Sequence, residues 1–166
     1  MILILNQLED MMSEYIKEAL MCIESNDSEC LKNTIVKYGY RDGSVLPIQV
    51  LRHAFECNEI VLAMDLMERF KFDHLNDEQD PIIVSAAHHG NKKVFEKLIT
   101  LGANLNALNH VKNSAVGAAL FSKNYSAVHD LLDLGFQMRS YTGGLALRQA
   151  AWKGEFDFVR LFIVWC

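Results

Sequence analysis

Pro81–Ser114 has the sequence PIIVSAAHHGNKKVFEKLITLGANLNALNHVKNS, in which two short helical patterns precede a turn. The first pattern consists of apolar and small residues and ends at Gly90. The second places its apolar residues on one helical face and ends at Gly102; these residues are Val94, Phe95, Leu98, Ile99 and Leu101. Glycine commonly ends a helix because it tolerates the left-handed backbone of the C-terminal cap. The segment therefore predicts a pair of short helices.

The turn after this pair, GANLNALN at residues 102–109, is the most distinctive motif in the chain. It resembles the Gly-Ala-Asp-Val-Asn-Ala-x-Asp turn that follows the helix pair of an ankyrin repeat. Asn106-Ala107 matches that turn outright, whereas Asn104-Leu105 stands where the family has Asp-Val. Upstream, AAHHGN at residues 86–91 is similar to the family's Ala-Ala-x-x-Gly-His.

The same pattern recurs at the ankyrin period. Gly102 and Gly135 are 33 residues apart, and so are Gly90 and Lys123. An ankyrin repeat has about 33 residues, whereas a HEAT-like array would need units of about 40. Residues 145–154 again resemble Ala-Ala-x-x-Gly. The resemblance implies an all-α fold, an ankyrin-like solenoid of about five stacked helix-turn-helix repeats.

We expect one array over residues 1–166, with repeats at approximately 8–42, 45–73, 80–112, 113–141 and 144–166. The first two lack the turn motif and depend on helical spacing alone. Gly143-Gly144 is expected to be a flexible turn, because a phosphate-binding loop would need a preceding strand and a Lys-Ser/Thr pair. The residues expected to be buried between repeats are Ala86, Ala87, Leu98, Ala119, Leu131, Ala150 and Leu161.

Composition restricts the possible partners and compartment. The chain is 51% hydrophobic and 22% charged, with a net charge of −5. The apolar content is high enough to form a buried core. The chain has no Lys/Arg cluster of the kind that binds nucleic acid. No apolar run approaches the roughly 20 residues of a membrane helix. Four scattered cysteines, Cys22, Cys30, Cys57 and Cys166, form no CxxC pair and predict reduced thiols in the cytoplasm.

Two residue pairs are candidates for chemistry. His88 and His89 are adjacent, and adjacent helical residues point about 100° apart, so they cannot easily share a metal ion. We expect two solvated surface histidines. His53 lies one helical turn before Cys57, the best available base and nucleophile, but no flanking thiol-enzyme signature accompanies them. We therefore expect no catalytic residue, metal or cofactor.

The ankyrin resemblance implies a partner-binding surface on the concave side, formed by the turns and the first helices. We expect it to contain His88, Leu108, His110, Val111, Phe121, Trp152 and Lys153. Phe121 and Trp152 occupy the position of His88 in later repeats. A large aromatic there is either an interface anchor or partly buried against its neighbour. Aliphatic residues at the turn tip suggest contact with another molecule.

The first functional hypothesis is therefore a non-enzymatic protein-protein interaction module. Degenerate repeats of this kind are similar to ankyrin proteins of intracellular bacteria and large viruses, which predicts an effector acting in the host cytoplasm. The alternative is the repeat portion of a larger enzyme or effector whose catalytic part is not recognisable. A convergent pocket with two titratable groups of perturbed pKa would favour the enzyme.

The segment Phe156–Cys166 is more apolar than a terminal repeat requires. We expect Val159, Phe162 and Ile163 to pack on the preceding repeat. Phe158, Leu161 and Trp165 cannot all join that face. Arrays of repeats normally close with a polar cap. The pattern predicts either a missing C-terminal continuation or self-association through the second set of residues.

Overall fold

The computed structural model describes residues 2–165, with side chains for residue 7 and residues 9–164. Those residues form ten helices and two strands of two residues each, so the prediction of a mostly helical chain is confirmed. The chain divides into two compact units, Met1–Asp73 and His74–Cys166, called unit 1 and unit 2. No described helix combines the length and apolar character needed to cross a membrane.

Unit 1 contains two helix pairs. Its elements are α1 (Ile2–Glu24), α2 (Ser28–Lys37), β1 (Val45–Leu46), α3 (Ile48–Glu56), α4 (Ile60–Arg69) and β2 (Lys71–Phe72). α1 packs on α2, α3 packs on α4, and the two first helices, α1 and α3, contact each other. The strands flank the second pair and form a parallel ladder in which Val45 is opposite Lys71.

Unit 2 contains three helix pairs. They are α5 (Ile82–Ala86) with α6 (Lys92–Thr100), α7 (Ala115–Phe121) with α8 (Tyr125–Asp133), and α9 (Tyr141–Lys153) with α10 (Phe156–Trp165). The first helices contact their successors, α5 with α7 and α7 with α9, and α6 contacts α8. An isolated antiparallel bridge between Leu108 and Ser114 closes the loop before α7.

The turn inside most pairs has the same backbone design. Asn26, Asn58, Lys123 and Gly154 each adopt a positive φ immediately before the second helix begins. Asparagine and glycine tolerate this conformation best, and Lys123 takes it at φ 59°. Gly90 stands at the equivalent place but lacks a positive φ. A Cβ there would meet the carbonyl oxygen of Ala86 and the Phe95 ring, so close packing requires the glycine.

The predicted core is confirmed at six of seven positions. Each of these side chains is fully buried: Ala86, Ala87, Leu98, Ala119, Leu131 and Ala150. Alanine at the contact between first helices lets their backbones approach closely. Leu161 is the exception, since it is only half-buried on α10.

α10 packs through a different face from the one expected. Phe158 and Phe162, one helical turn apart, are the buried residues, whereas Ile163 is 65% exposed and Val159 half-buried. Phe158 stacks on Tyr125 of α8 with ring centroids 5.1 Å apart and also touches the ring of His129. Two aromatic rings gain more from this burial than the smaller aliphatic residues would. The side chain of Trp165, and all of Cys166, lie outside the described residues.

Gly143-Gly144 does not form a turn. Both glycines lie within α9, which begins at Tyr141 rather than near Leu145. The reason is the N-cap residue Ser140, whose side chain accepts a hydrogen bond from the backbone N–H of Gly143 at 3.1 Å. Such a cap satisfies a free donor of the first turn and starts the helix earlier than the apolar pattern indicates.

Two of the expected free thiols are instead bonded to each other. Cys22 in the last turn of α1 and Cys30 in the first turn of α2 form a disulfide, with Cα atoms 5.5 Å apart. The short turn between the helices brings the two ends together, although the residues are eight apart in sequence. Cys57 is a free cysteine and is half-buried.

Replacing Ala119 with Leu should lower the free energy of unfolding by about 1–3 kcal/mol, because the added atoms enter a fully packed contact between first helices. Ala151→Leu on α9 is the matched control, since Ala151 is exposed and should accept leucine at little cost. Urea denaturation of both variants measures the difference. Equal midpoints would show that the helix register is wrong.

Asn124 links two helix pairs as well as capping α8. Its side-chain oxygen accepts from the backbone N–H of Ala127 at 3.4 Å, and its amide nitrogen donates to the Gly90 carbonyl at 2.9 Å. Asn91 caps α6 by accepting from Val94 N–H at 3.3 Å. Asn91→Ala should cost about 1 kcal/mol for the lost cap. Asn124→Ala should cost about 1 kcal/mol more for the lost bond to Gly90; equal losses in thermal denaturation would contradict this.

Candidate partner-binding surface

The ends of the first helices in unit 2 bring several predicted binding residues together. The ring of His88, just after α5, meets the edge of Phe121 at the end of α7, with centroids 6.5 Å apart. Phe121 is 64% exposed even so. Trp152 near the end of α9 is 86% exposed, so it is not the partly buried residue that the sequence also allowed. We call His88, Phe121, Trp152 and Lys153 the aromatic surface.

Lys153 joins α9 to α7 within this surface. Its ammonium nitrogen lies 3.8 Å from the centre of the Phe121 ring and 3.4 Å from the Phe121 carbonyl oxygen. A cation over an aromatic face is attracted by the ring's negative quadrupole. The contact therefore restrains the Phe121 ring while leaving most of it accessible to solvent.

The predicted residues at the turn tip form a separate part of the surface. Leu108 is half-buried and belongs to the bridge with Ser114. The backbone N–H of His110 donates to the Gln79 carbonyl at 2.9 Å, and its ring Nδ1 lies 3.0 Å from the same oxygen. Val111 is 64% exposed. Loop contacts, rather than the aromatic surface, hold Leu108 and His110.

Asparagine side chains connect these loops through hydrogen bonds. The sequence did not predict this role. Asn76 donates to the Gly102 carbonyl at 2.8 Å and accepts from the backbone N–H of Asn104. Asn106 accepts from the backbone N–H of Gln137 in the following loop at 2.8 Å. Each asparagine thus connects backbone groups about one repeat length away and adds to the backbone bond between His110 and Gln79.

The two rings of the histidine pair differ in their exposure. The rings of His88 and His89 are 6.4 Å apart and inclined by 44°. His89 is exposed as expected, but His88 is half-buried because it packs against Phe121. Among the residues with described side chains, no three His, Cys, Asp or Glu groups are placed to hold one ion.

His53 and Cys57 are in contact, with Nε2 and Sγ 3.6 Å apart. The imidazole also lies 3.2 Å from a Glu24 carboxylate oxygen and 3.3 Å from one of Glu56. Partial burial raises the pKa of the Cys57 thiol, and the negative charges of Glu24, Glu56 and Glu59 raise it further. A nucleophilic cysteine needs the opposite shift, since the thiolate is the reactive form. At neutral pH this pair holds a protonated thiol.

Comparison with known proteins adds no further identification. No protein-family model matches the chain, and no curated protein matches it.

The surroundings of Cys57 predict that its alkylation begins at a higher pH than that of an ordinary cysteine. In a Cys166→Ser background, the iodoacetamide rate of Cys57 should rise with a midpoint above the ordinary thiol pKa of about 8.5. Glu24→Gln should lower that midpoint because it removes one of the negative charges that disfavour the thiolate. Mass spectrometry across pH 7 to about 10.5 measures the rate, with Glu29→Gln as control. A midpoint below that of free cysteine would indicate an activated nucleophile.

Proposed function

We propose that this protein is a non-enzymatic interaction module that binds a partner protein through the aromatic surface and the adjoining loop tip at Leu108, His110 and Val111. The observation that carries the proposal is the exposure of Trp152, at 86%, and of Phe121, at 64%, on neighbouring first helices. Large aromatic residues dominate binding energy at protein interfaces. Nothing in the packing of unit 2 requires a tryptophan at an exposed position.

The restraint on Phe121 supports the same proposal. Lys153 lies over its ring, and the ring of His88 contacts it in a nearly perpendicular orientation. A side chain ordered before binding loses less conformational entropy when a partner covers it. The aromatic surface therefore combines exposure with partial preorganisation, which is typical of an interface anchor.

We further propose that the helix pairs form ankyrin-like repeats. The turns inside the pairs, at Asn26, Asn58, Gly90, Lys123 and Gly154, are separated by 31–33 residues. Each turn connects two helices that pack on each other, and within each unit the first helices contact their successors. These features support a repeat array in the absence of a matching family model.

The enzyme alternative has one feature in its favour, a cavity of about 260 Å³ in unit 1 lined by Tyr15, Tyr38 and Tyr40 together with Met11, Met12 and Gly39. Burial raises the pKa of Tyr15 and Tyr40, and hydrogen bonding to Lys37 lowers the pKa of nearby Glu18. Each shift keeps its group in the ordinary charge state at neutral pH. A general acid or base needs a pKa close to the working pH, so this chemistry favours binding over catalysis.

The remaining parts of the proposal concern compartment and self-association. We propose an effector in the host cytoplasm because the degenerate repeats are similar to those of ankyrin proteins from intracellular bacteria and large viruses. The Cys22–Cys30 disulfide points the other way, since such bonds are typical of oxidising compartments. Self-association through α10 would not use Phe158, which is packed on Tyr125. The exposed apolar residues available to it are Phe156, Ile163 and Val164.

A photo-crosslinking amino acid placed at position 121 or 152 should capture a partner protein in extracts of cells that naturally contain this chain. The same group at Lys93, exposed on the second helix α6, is the control and should capture none. Once the partner is purified, Trp152→Ala should reduce affinity by about 2 kcal/mol, roughly thirtyfold, with the fold intact.

Two results would count against this proposal. One is capture from position 93 at the same yield as from positions 121 and 152. The other is an affinity that neither Trp152→Ala nor Leu108→Asp changes. Capture of a second copy of the chain would instead support self-association.

A further inference from the structure

One face of α9 is exposed along its whole length. Tyr141, Gly144, Arg148 and Trp152 follow one another at intervals of three or four residues and are all exposed. This spacing places them in a single row. Leu145, Ala146 and Ala150, among others, are buried in unit 2. We call the exposed row the α9 ridge.

Gly144 is unexplained by the fold of this chain. A Cβ added at Gly144 would have no atom within 4 Å, whereas a Cβ at its neighbour Gly143 would collide with the Met138 backbone. Packing therefore requires Gly143 but not Gly144. Glycine is unfavourable inside a helix because of its backbone freedom. What Gly144 provides is a bare stretch of exposed backbone between two large side chains, which another chain can approach closely.

The ridge is also locally basic. α9 contains no carboxylate, and between Leu101 and Gly154 the only Asp or Glu residues are Asp130 and Asp133, both on α8. Arg148 and Lys153 are exposed, and neither has an ion-pair partner among the residues that the structure describes. The whole chain carries a net charge of −5, whereas residues 101–154 have five Lys or Arg against two Asp, so this part of the sequence has the opposite sign to the whole chain.

From these observations we infer that the α9 ridge binds an extended, acidic segment of the partner protein. The backbone of this segment follows the ridge and passes over α9 at Gly144. The inference rests on the proposed function, because it extends the aromatic surface along α9. Carboxylates of the segment pair with Arg148 and Lys153, and its apolar side chains contact Tyr141 and Trp152. From Tyr141 to Trp152 the helix rises about 16 Å. An extended segment of about five residues spans that distance.

A protein segment fits the ridge better than a nucleic acid does. Tight nucleic-acid binding requires many phosphate contacts, on the order of 6–10. The carboxylate-poor stretch from Leu101 to Gly154 offers five lysines and arginines, and the net charge of −5 repels a long polyanion. A short segment with two or three carboxylates needs only Arg148 and the neighbouring Lys153, and it does not extend into the acidic remainder of the chain.

The test selects binders of the full chain from a phage library of random twelve-residue peptides. The tightest peptide is then synthesised with a fluorescent label, and its affinity is measured by anisotropy. Gly144→Leu is the central variant, because it adds a side chain in open space and should leave the thermal midpoint unchanged or higher. Lys93→Leu, at an exposed site on α6, is its matched control. Arg148→Glu tests the charge.

We expect selected peptides to be acidic, and to weaken at least tenfold with Gly144→Leu and with Arg148→Glu but not with Lys93→Leu. Replacing the peptide's Asp and Glu by Asn and Gln should weaken binding to the same degree. Selected peptides without net negative charge, or affinities that neither Gly144→Leu nor Arg148→Glu changes, would overturn the inference.

Three further outcomes bear on this inference, and the first of them separates it from the proposed function. If peptide binding is insensitive to the α9 variants but lost with Phe121→Ala, the proposed function stands and the ridge does not bind the segment. If no variant matters, or no peptide is selected, both fail. If a single-stranded RNA of 20 nucleotides binds more tightly than the peptide, and Arg148→Glu abolishes that binding, the ridge recognises nucleic acid and the inference is wrong.

Discussion

The packing of the first helices on one another within each unit is the constraint on which the rest of this structure depends. Four residues before each intra-pair turn, the chain has Cys22, Ala54, Ala86, Ala119 and Ala150, and every one of them is buried. A single helix pair cannot bury its own apolar face, so neighbouring pairs must supply the remaining contact. The alanines at this position let the backbones approach closely enough for that contact to exclude water, whereas Cys22 is bonded to Cys30 of its own pair.

This packing limits where the proposed partner-binding surface can lie. In α7, residues 115–120 are all buried and only Phe121 at its end is exposed. The interior of a first helix therefore has little side-chain surface to offer a partner. Two exposed surfaces remain for a partner. One is formed by the helix ends, where His88, Phe121 and Lys153 meet. The other is the outer face of α9, which no later first helix covers within the described residues. The position of the candidate surface is therefore a consequence of which helix faces are buried in the core.

Charge is distributed as unevenly as apolar surface. Unit 1 contains 13 of the 21 acidic residues and 7 of the 16 lysines and arginines, which leaves unit 2 slightly basic. Within unit 2, the carboxylates between Leu101 and Gly154 lie on α8 alone. Electrostatic complementarity mainly affects the rate and specificity of association. A partner drawn to unit 2 on this basis would be selected first by charge and then by its fit to Phe121 and Trp152.

The sequence by itself determined the helical class, the five helix pairs and most of the buried alanines, because these depend on local spacing of about 32 residues and on periodicity within each helix. It also indicated Phe121 and Trp152 as exposed candidates. The tertiary structure alone decided the Cys22–Cys30 bond, the packing of Phe158 rather than Ile163, the placement of Lys153 on Phe121, and the exposure of Gly144 beside Arg148. Each of these depends on which side chains from different helices or loops meet in space. A helical repeat pattern specifies the face of a helix only to within a residue or two, and that margin is enough to exchange a buried side chain for an exposed one.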